Sequence, residues 1–162
     1  MMAGITAVGS LTGLKKLSDE LQEEDEMMPV LFVGHGSPMN AIEDNEFSQR
    51  WLNYGKSIPQ PKAVICISAH WLTRGTKVTA MTNPPTIHDF GGFPDALHKA
   101  EYPAPGNPFL AKETKELIKS VNVDLDHEWG LDHGTWSILN QMYPKANIPV
   151  IQLSIDYYKS PQ

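Results

Sequence analysis

Two histidines each follow an apolar run, in an arrangement that could bind a metal ion. His35 comes just after residues 29–33, and His70 ends the run that begins at Ala63. Continuous apolar runs of this length are typical of strands buried in a parallel sheet. Ligands of open α/β sheets collect at the carboxyl ends of the strands. We therefore expect the two imidazoles to emerge at one edge of a sheet and to share a metal ion.

A third ligand is needed, because a catalytic metal site uses three protein ligands and one open position. His133 lies between Asp132 and Gly134, just before a predicted helix. Two interpretations stay open at this position. Asp132 could be a helix cap or turn residue and His133 merely structural, or His133 could act as a base, a substrate hydrogen-bond donor or a metal ligand.

The remaining histidines carry weaker predictions. His88 and Asp89 lie in a segment rich in proline and glycine at 83–107, and long loops of this kind usually form lids or binding surfaces. The alternative is an ordered surface loop held by Phe90 and its neighbours. His98 and His127 have polar surroundings, and we expect both to be exposed and without a role.

The hydrophobic pattern predicts one α/β domain with a mostly parallel central sheet flanked by helices. Predicted strands lie at 29–35, 63–70, 78–81, 121–125 and 148–155, and predicted helices at 44–56, 95–99, 108–120 and through 138–142. We expect Phe47, Trp51 and Tyr54 to form the inner face of the helix at 44–56. Since nothing follows to cover the last strand, we expect the domain at 28–162 to lack its carboxyl-terminal part. Leucines at helical spacing predict a separate amino-terminal helical extension at 1–27.

Composition narrows the classes of partner. The net charge of −6 arises from six acidic residues between Asp19 and Glu26, and the other 13 acids balance 13 Lys and Arg. The sequence has no basic stripe of the kind that would predict a nucleic acid partner. It also has no apolar stretch long enough to span a membrane. The single cysteine, Cys66, lies in an apolar run, which predicts that it is a small core residue. A chain with one cysteine forms no internal disulfide, which fits a reducing compartment such as the cytoplasm.

Six segments together resemble one enzyme family. They are residues 34–40, 68–71, 85–94, 102–106, 131–136 and 148–156. At these positions the chain resembles the class III extradiol ring-cleavage dioxygenases, in the branch that contains the 4,5-DOPA extradiol dioxygenases. The segments follow the family order from about residue 28 onwards, and they match the amino-terminal part of the family only.

The resemblance implies a function and a set of site residues. His35 and His70 would bind Fe2+ or Zn2+, His133 would assist catalysis by hydrogen bonding, and Ser37 and His88 would bind substrate. The substrate would be a catechol such as DOPA, which O2 cleaves beside the two hydroxyl groups. The family places a further metal ligand and a further catalytic histidine beyond Gln162.

Two other functions stay open. One is a zinc-dependent hydrolase on the same scaffold, with His35, His70 and His133 as ligands and a metal-bound water as nucleophile. The other is a non-catalytic domain that associates with copies of itself or with a partner. It would use the amphipathic helix at 11–21 or an open sheet edge.

Overall fold

A computed structural model describes residues 28–160 of the chain. The helical extension predicted at 1–27 lies outside the described residues. The chain divides into two compact units, Met1–Leu31 and Phe32–Gln162. Every helix and strand of the described residues belongs to the second unit.

Four helices and four strands follow a short 3-10 helix at Pro38–Ala41 within the described residues. They are α1 (Glu46–Ser57), β1 (Val64–Thr73), β2 (Thr76–Thr79), α2 (Asp95–His98), α3 (Pro108–Leu117), β3 (Val123–Asp126), α4 (His133–Met142) and β4 (Val150–Asp156). Local sequence explains several of the helix starts. The side chain of Asn45 caps α1 within a capping box completed by Ser48, and Asn107 caps α3 directly before Pro108.

The four strands form one sheet in the order β1-β4-β2-β3. β1 runs parallel to β4 and β2 runs parallel to β3, whereas β2 and β4 are antiparallel. Neighbouring residues of β4 face opposite sides of the sheet, so Val150 packs in one hydrophobic core with Trp136 and Ile151 packs in another with Val78. Helices therefore cover both faces, and the predicted mostly parallel α/β fold is confirmed.

The strand predicted to end at His35 is wrong. Residues 28–36 contain no strand, and the Phe32 side chain is fully exposed. An apolar run becomes a strand only where a neighbouring strand completes its hydrogen bonds. Within the second unit, β1 pairs with β4 alone in the described residues, and residues 32–34 have no strand partner.

One further prediction differs from the structure at a helix surface. In α1, Phe47 and Tyr54 are 54% and 41% exposed, and the buried residue is Ser48. A Cβ atom at Gly55 would collide with the backbone of Met142, so α1 approaches α4 through small residues. The last helix, which was predicted to run through 138–142, begins at His133, where Asp132 caps it.

Candidate metal centre

Three histidines converge where β1, α4 and the segment before the 3-10 helix meet. The nitrogen atoms that His35, His70 and His133 offer all lie within 4.8 Å of one another. The Nε2 atoms of His35 and His70 are 2.9 Å apart, and the rings of His70 and His133 have centroids separated by 3.9 Å. The structure thus brings His35 together with His70, which lies 35 positions later in the chain, and with His133, which lies 98 positions later.

The sequence predicted that His70 lies at the end of its strand. This prediction is wrong. His70 lies inside a wide bulge of β1, because Ile67 pairs with Leu153 whereas Leu72 already pairs with Ile155. Four residues of β1 therefore face a single residue of β4. Ala69 and His70 are both exposed, between buried Ser68 and Trp71. Bulges break the alternation of a strand and redirect side chains, and this one directs His70 towards His35.

His133 is the first residue of α4, and a buried carboxylate holds it there. Asp132 is fully buried and caps the helix by accepting a hydrogen bond from the Thr135 N–H. The same carboxylate accepts hydrogen bonds from Ser68 Oγ at 2.7 Å and from Gln152 Nε2 at 2.7 Å. These bonds tie α4 to β1 and β4. The prediction that Asp132 is a helix cap is confirmed, and His133 beside it still reaches the histidine cluster.

Gly134 allows α4 to approach β1 closely. A Cβ atom at this position would lie 2.6 Å from His70 Cδ2 and 2.6 Å from Ser68 Oγ. Atoms at such a distance must move apart, so any larger residue would displace His70 from His133. The sequence motif contains Gly134, but its spacing gave no indication of this contact.

His35 is held by a tight turn rather than by a strand. Gly36 has a φ of +62°, which residues with a side chain rarely adopt. The Asn40 amide donates to the His35 carbonyl oxygen at 3.1 Å. Ser37 is exposed, and its hydroxyl accepts a hydrogen bond from the Met39 N–H. In the described residues Ser37 thus caps the 3-10 helix next to the cluster.

Asp89, which the sequence grouped with His88 in a candidate lid or binding loop, contacts the cluster directly through His133. Its Oδ1 atom lies 2.8 Å from His133 Nδ1 and accepts the backbone N–H of His133 at 2.9 Å. Burial alone would raise the pKa of Asp89, but the contacts with His133 outweigh it and hold the pKa below its ordinary value. The carboxylate is therefore ionised at neutral pH. Its position after His88 in a long loop was the only available signal.

His88 does not join the cluster. Its Nε2 atom donates to the carbonyl oxygen of Ala100 at 2.8 Å and so braces the loop between them. The ring packs against Phe90, whose own ring meets the edge of His133 at 5.5 Å. His98 and His127 are both exposed, as predicted, and lie outside the cluster.

The surroundings of His35 favour its neutral form. Burial, together with the neighbouring His133 and His70, lowers the pKa of His35 below its ordinary value. A neutral imidazole has a free lone pair, which metal binding requires. Cys66 is not a competing ligand, since burial raises the pKa of its thiol to about 11 and the Thr135 hydroxyl donates to its Sγ.

The donor set fits a divalent transition metal. Three imidazoles suit zinc or iron. Two nitrogens at about 2.1 Å from one ion lie about 3.0 Å apart when they subtend a right angle, close to the 2.9 Å between His35 Nε2 and His70 Nε2. The Nδ1 atom of His35 is buried without a hydrogen-bond partner in the described residues, so no hydrogen bond at that atom fixes the ring. The cluster could therefore hold one ion.

Within residues 28–160, no helix combines the length and the hydropathy that crossing a membrane requires.

Comparisons with known proteins agree with this geometry. The family described as the catalytic LigB subunit of aromatic ring-opening dioxygenase matches residues 28–162. A protein of Escherichia coli (strain K12) named 4,5-DOPA dioxygenase extradiol is 58% identical over 133 residues, which are 82% of this chain and 49% of that protein. A protein of Beta vulgaris with the same name is 43% identical over 82% of this chain and 52% of its own length.

One solved structure extends the comparison to the fold. The crystal structure of an uncharacterized protein from Escherichia coli K12 matches with a TM-score of 0.61 and 47% identity, over 76% of this chain and 46% of that one. The chain thus spans about half the length of the curated relatives that it matches.

Proposed function

Because this chain belongs to the family of catalytic LigB subunits of aromatic ring-opening dioxygenases, we propose that it carries the metal-binding part of an extradiol dioxygenase. The observation that supports the proposal is the cluster of His35, His70 and His133. The substrate in this proposal is a catechol such as DOPA, which two of the curated relatives carry in their names. The reaction would use O2 to open the ring beside the two hydroxyl groups.

In this proposal His35 and His70 are the metal ligands. Their Nε2 atoms point at each other across 2.9 Å, which leaves the other sides of an ion open to substrate and O2. A bound Fe2+ would supply the redox chemistry of ring opening and a Lewis acid for the catechol oxygens. Zn2+ would fit the same nitrogens, and the proposal covers either ion.

His133 is the proposed catalytic residue. Asp89 occupies its Nδ1 atom, so Nε2 is the atom available to accept a proton from a catechol hydroxyl or to donate a hydrogen bond to the bound substrate. Its side chain is 8% exposed, so water competes little for that atom. Ser37 and His88 are proposed to line the substrate site. Ser37 lies next to His35, and His88 would contribute through its contact with Phe90.

We also propose a reducing compartment such as the cytoplasm. Cys66 is the only cysteine, and the thiol is protonated and unpaired by any disulfide within the chain.

A zinc-dependent hydrolase is the second candidate. The observation that favours it is that all three imidazoles lie within the reach of one ion, as in sites that bind zinc through three histidines and activate a water. In this candidate His133 would be a ligand rather than a base.

Metal content tests the proposal first. After loading with Fe2+ without oxygen, or with Zn2+, elemental analysis should find about one ion per chain. His35→Ala and His70→Ala should each lose that ion, because each removes a ligand. His127→Ala is the matched control, since His127 is exposed and lies outside the cluster. Equal metal content in wild type and His35→Ala would contradict the proposed site.

Activity separates the two candidates. Uptake of O2 with a catechol, lost in His133→Ala while the metal is retained, would support the dioxygenase. Ester hydrolysis that chelation abolishes, with no O2 uptake, would support the hydrolase. A chain that binds neither metal nor catechol but forms defined oligomers would contradict both and favour an association domain.

A further inference from the structure

A single carboxylate oxygen makes two contacts with His133. Oδ1 of Asp89 lies 2.8 Å from the ring atom Nδ1 and 2.9 Å from the backbone nitrogen of the same residue. An ionised carboxylate can only accept hydrogen bonds. The Nδ1 atom of His133 must therefore carry the hydrogen in this contact.

The loop that supplies Asp89 is fixed to the start of α4. Residues Thr86 and Leu131 form an isolated parallel bridge, in which the Ile87 N–H donates to the Leu131 carbonyl at 2.7 Å. The indole Nε1 of Trp136 donates to the carbonyl of Ile87 at 2.8 Å. Asp89 follows two residues later, so these contacts fix the loop backbone directly before the carboxylate that meets His133.

The Asp89 side chain is also sheltered. It is 19% exposed and its partner His133 is 8% exposed. The Phe90 ring meets the His133 ring at 89°, with centroids 5.5 Å apart. A charged hydrogen bond in such a sheltered place is stronger than one in open water. These contacts thus fix both the orientation of the His133 ring and its tautomer.

We propose that Asp89 is a positioning residue that keeps His133 as the Nδ1–H tautomer. The unprotonated Nε2 atom then faces the space shared with His35 and His70. This form of the ring can accept a substrate proton at Nε2, and the carboxylate stabilises the imidazolium that results. The catalytic use of this arrangement rests on the proposed function, whereas the tautomer itself does not.

The tautomer can be read in the metal-free protein. Long-range 1H–15N spectra of the protein labelled in its histidines distinguish a protonated from an unprotonated ring nitrogen. They would be recorded at about pH 8.5, above the ordinary histidine pKa of about 6.5, and the His133 signals would be assigned with His133→Gln. We expect Nδ1 of His133 to carry the hydrogen in the wild type.

Three variants separate positioning of the ring from simple anchoring of the loop. Asp89→Asn keeps an acceptor oxygen and should retain the Nδ1–H form. Asp89→Ala removes it and should shift the population of His133 towards the Nε2–H form, with the backbone amide spectrum otherwise preserved. Asp95→Ala, at an exposed acid that begins α2, should leave the His133 signals unchanged.

Either of two results would overturn the inference. One is a wild-type His133 with its hydrogen on Nε2, which needs no variant to fold. The other is an unchanged tautomer in Asp89→Ala, which would mean that Asp89 only anchors the backbone. Because neither measurement uses metal, catechol or O2, failure of the proposed function would leave this result intact, and the reverse also holds.

Discussion

The histidine cluster has two sides that are built differently. On the α4 side, His133 is buried and held by Asp89, and the neighbouring Asp132 is fully buried with partners on two strands. On the β1 side, His70 is exposed on a bulge and Ile67 beside that bulge is 62% exposed. The α4 side is therefore organised before any ligand binds, whereas the β1 side is open to solvent.

This difference separates stability from ligand binding. Buried polar groups with complete hydrogen bonding are costly to disturb, because each lost partner leaves another group unsatisfied. Exposed residues contribute little to folding and are free to contact a ligand or another polypeptide. We therefore expect substitutions on the α4 side to reduce stability most, and those on the β1 side to act on association.

The largest effect is expected at Asp132. Asp132→Ala removes the cap of α4 and leaves Ser68 and Gln152 without their buried partner, which should lower the free energy of unfolding by about 3 kcal/mol. Urea-induced unfolding followed by circular dichroism measures this change. Asp124→Ala, at an exposed acid, should change the same quantity by less than about 0.5 kcal/mol. Similar values for both variants would mean that the α4 side is not the more rigid one.

An intermediate effect is expected at Gly134, where the two sides meet. Gly134→Ala places a Cβ atom against His70 and Ser68, so we expect a loss of about 1–3 kcal/mol in the free energy of unfolding. Metal affinity should also fall by about tenfold or more, because His70 is displaced from the other ligands. Isothermal titration with Zn2+ measures the affinity.

Gly91→Ala is the matched control for this substitution. A Cβ atom at Gly91 meets nothing within 4 Å, and both quantities should stay close to those of the wild type. If Gly134→Ala also binds Zn2+ as the wild type does, the close contact between α4 and β1 is not needed to place His70.

The smallest effect on folding is expected at Ile67. Ile67→Lys should change the free energy of unfolding by less than about 0.5 kcal/mol, because the side chain is already mostly exposed. The same change should reduce self-association, since a charge on an edge strand opposes pairing with another strand. Size-exclusion chromatography over a range of protein concentrations measures self-association. A loss of several kcal/mol would show that Ile67 is buried in the folded protein and that the β1 side is not open.

The sequence predicted the fold better than it predicted the contacts inside the site. The strand at β4 and the cap at Asp132 follow from local patterns, an apolar run and an acid before a helix. The run before His35 has the same apolar pattern but does not form a strand in the described residues, because pairing depends on neighbours distant in the chain.

The proximity of His133 to His35 and His70 depends on tertiary contacts that spacing does not encode. Asp89 lies 44 residues from His133, and the bridge between the loop and the start of α4, together with the Trp136 contact, brings them together. Gly134 was visible as part of a motif, yet its importance comes from the position of Ser68 and His70 on another element. The resemblance to a family implied His35, His70 and His133 as site residues, and the structure brings these three side chains together.

The bulge in β1 has a consequence for how such a site changes in evolution. His70 faces the cluster because of the four residues 68–71 that lie outside the strand register, not because of its distance from the start of the strand. The stretch before the bulge can therefore exchange its residues as any strand does, without rotating His70. Grafting the site onto another parallel sheet would require transfer of the bulge as a unit, together with the glycine that fits beside it.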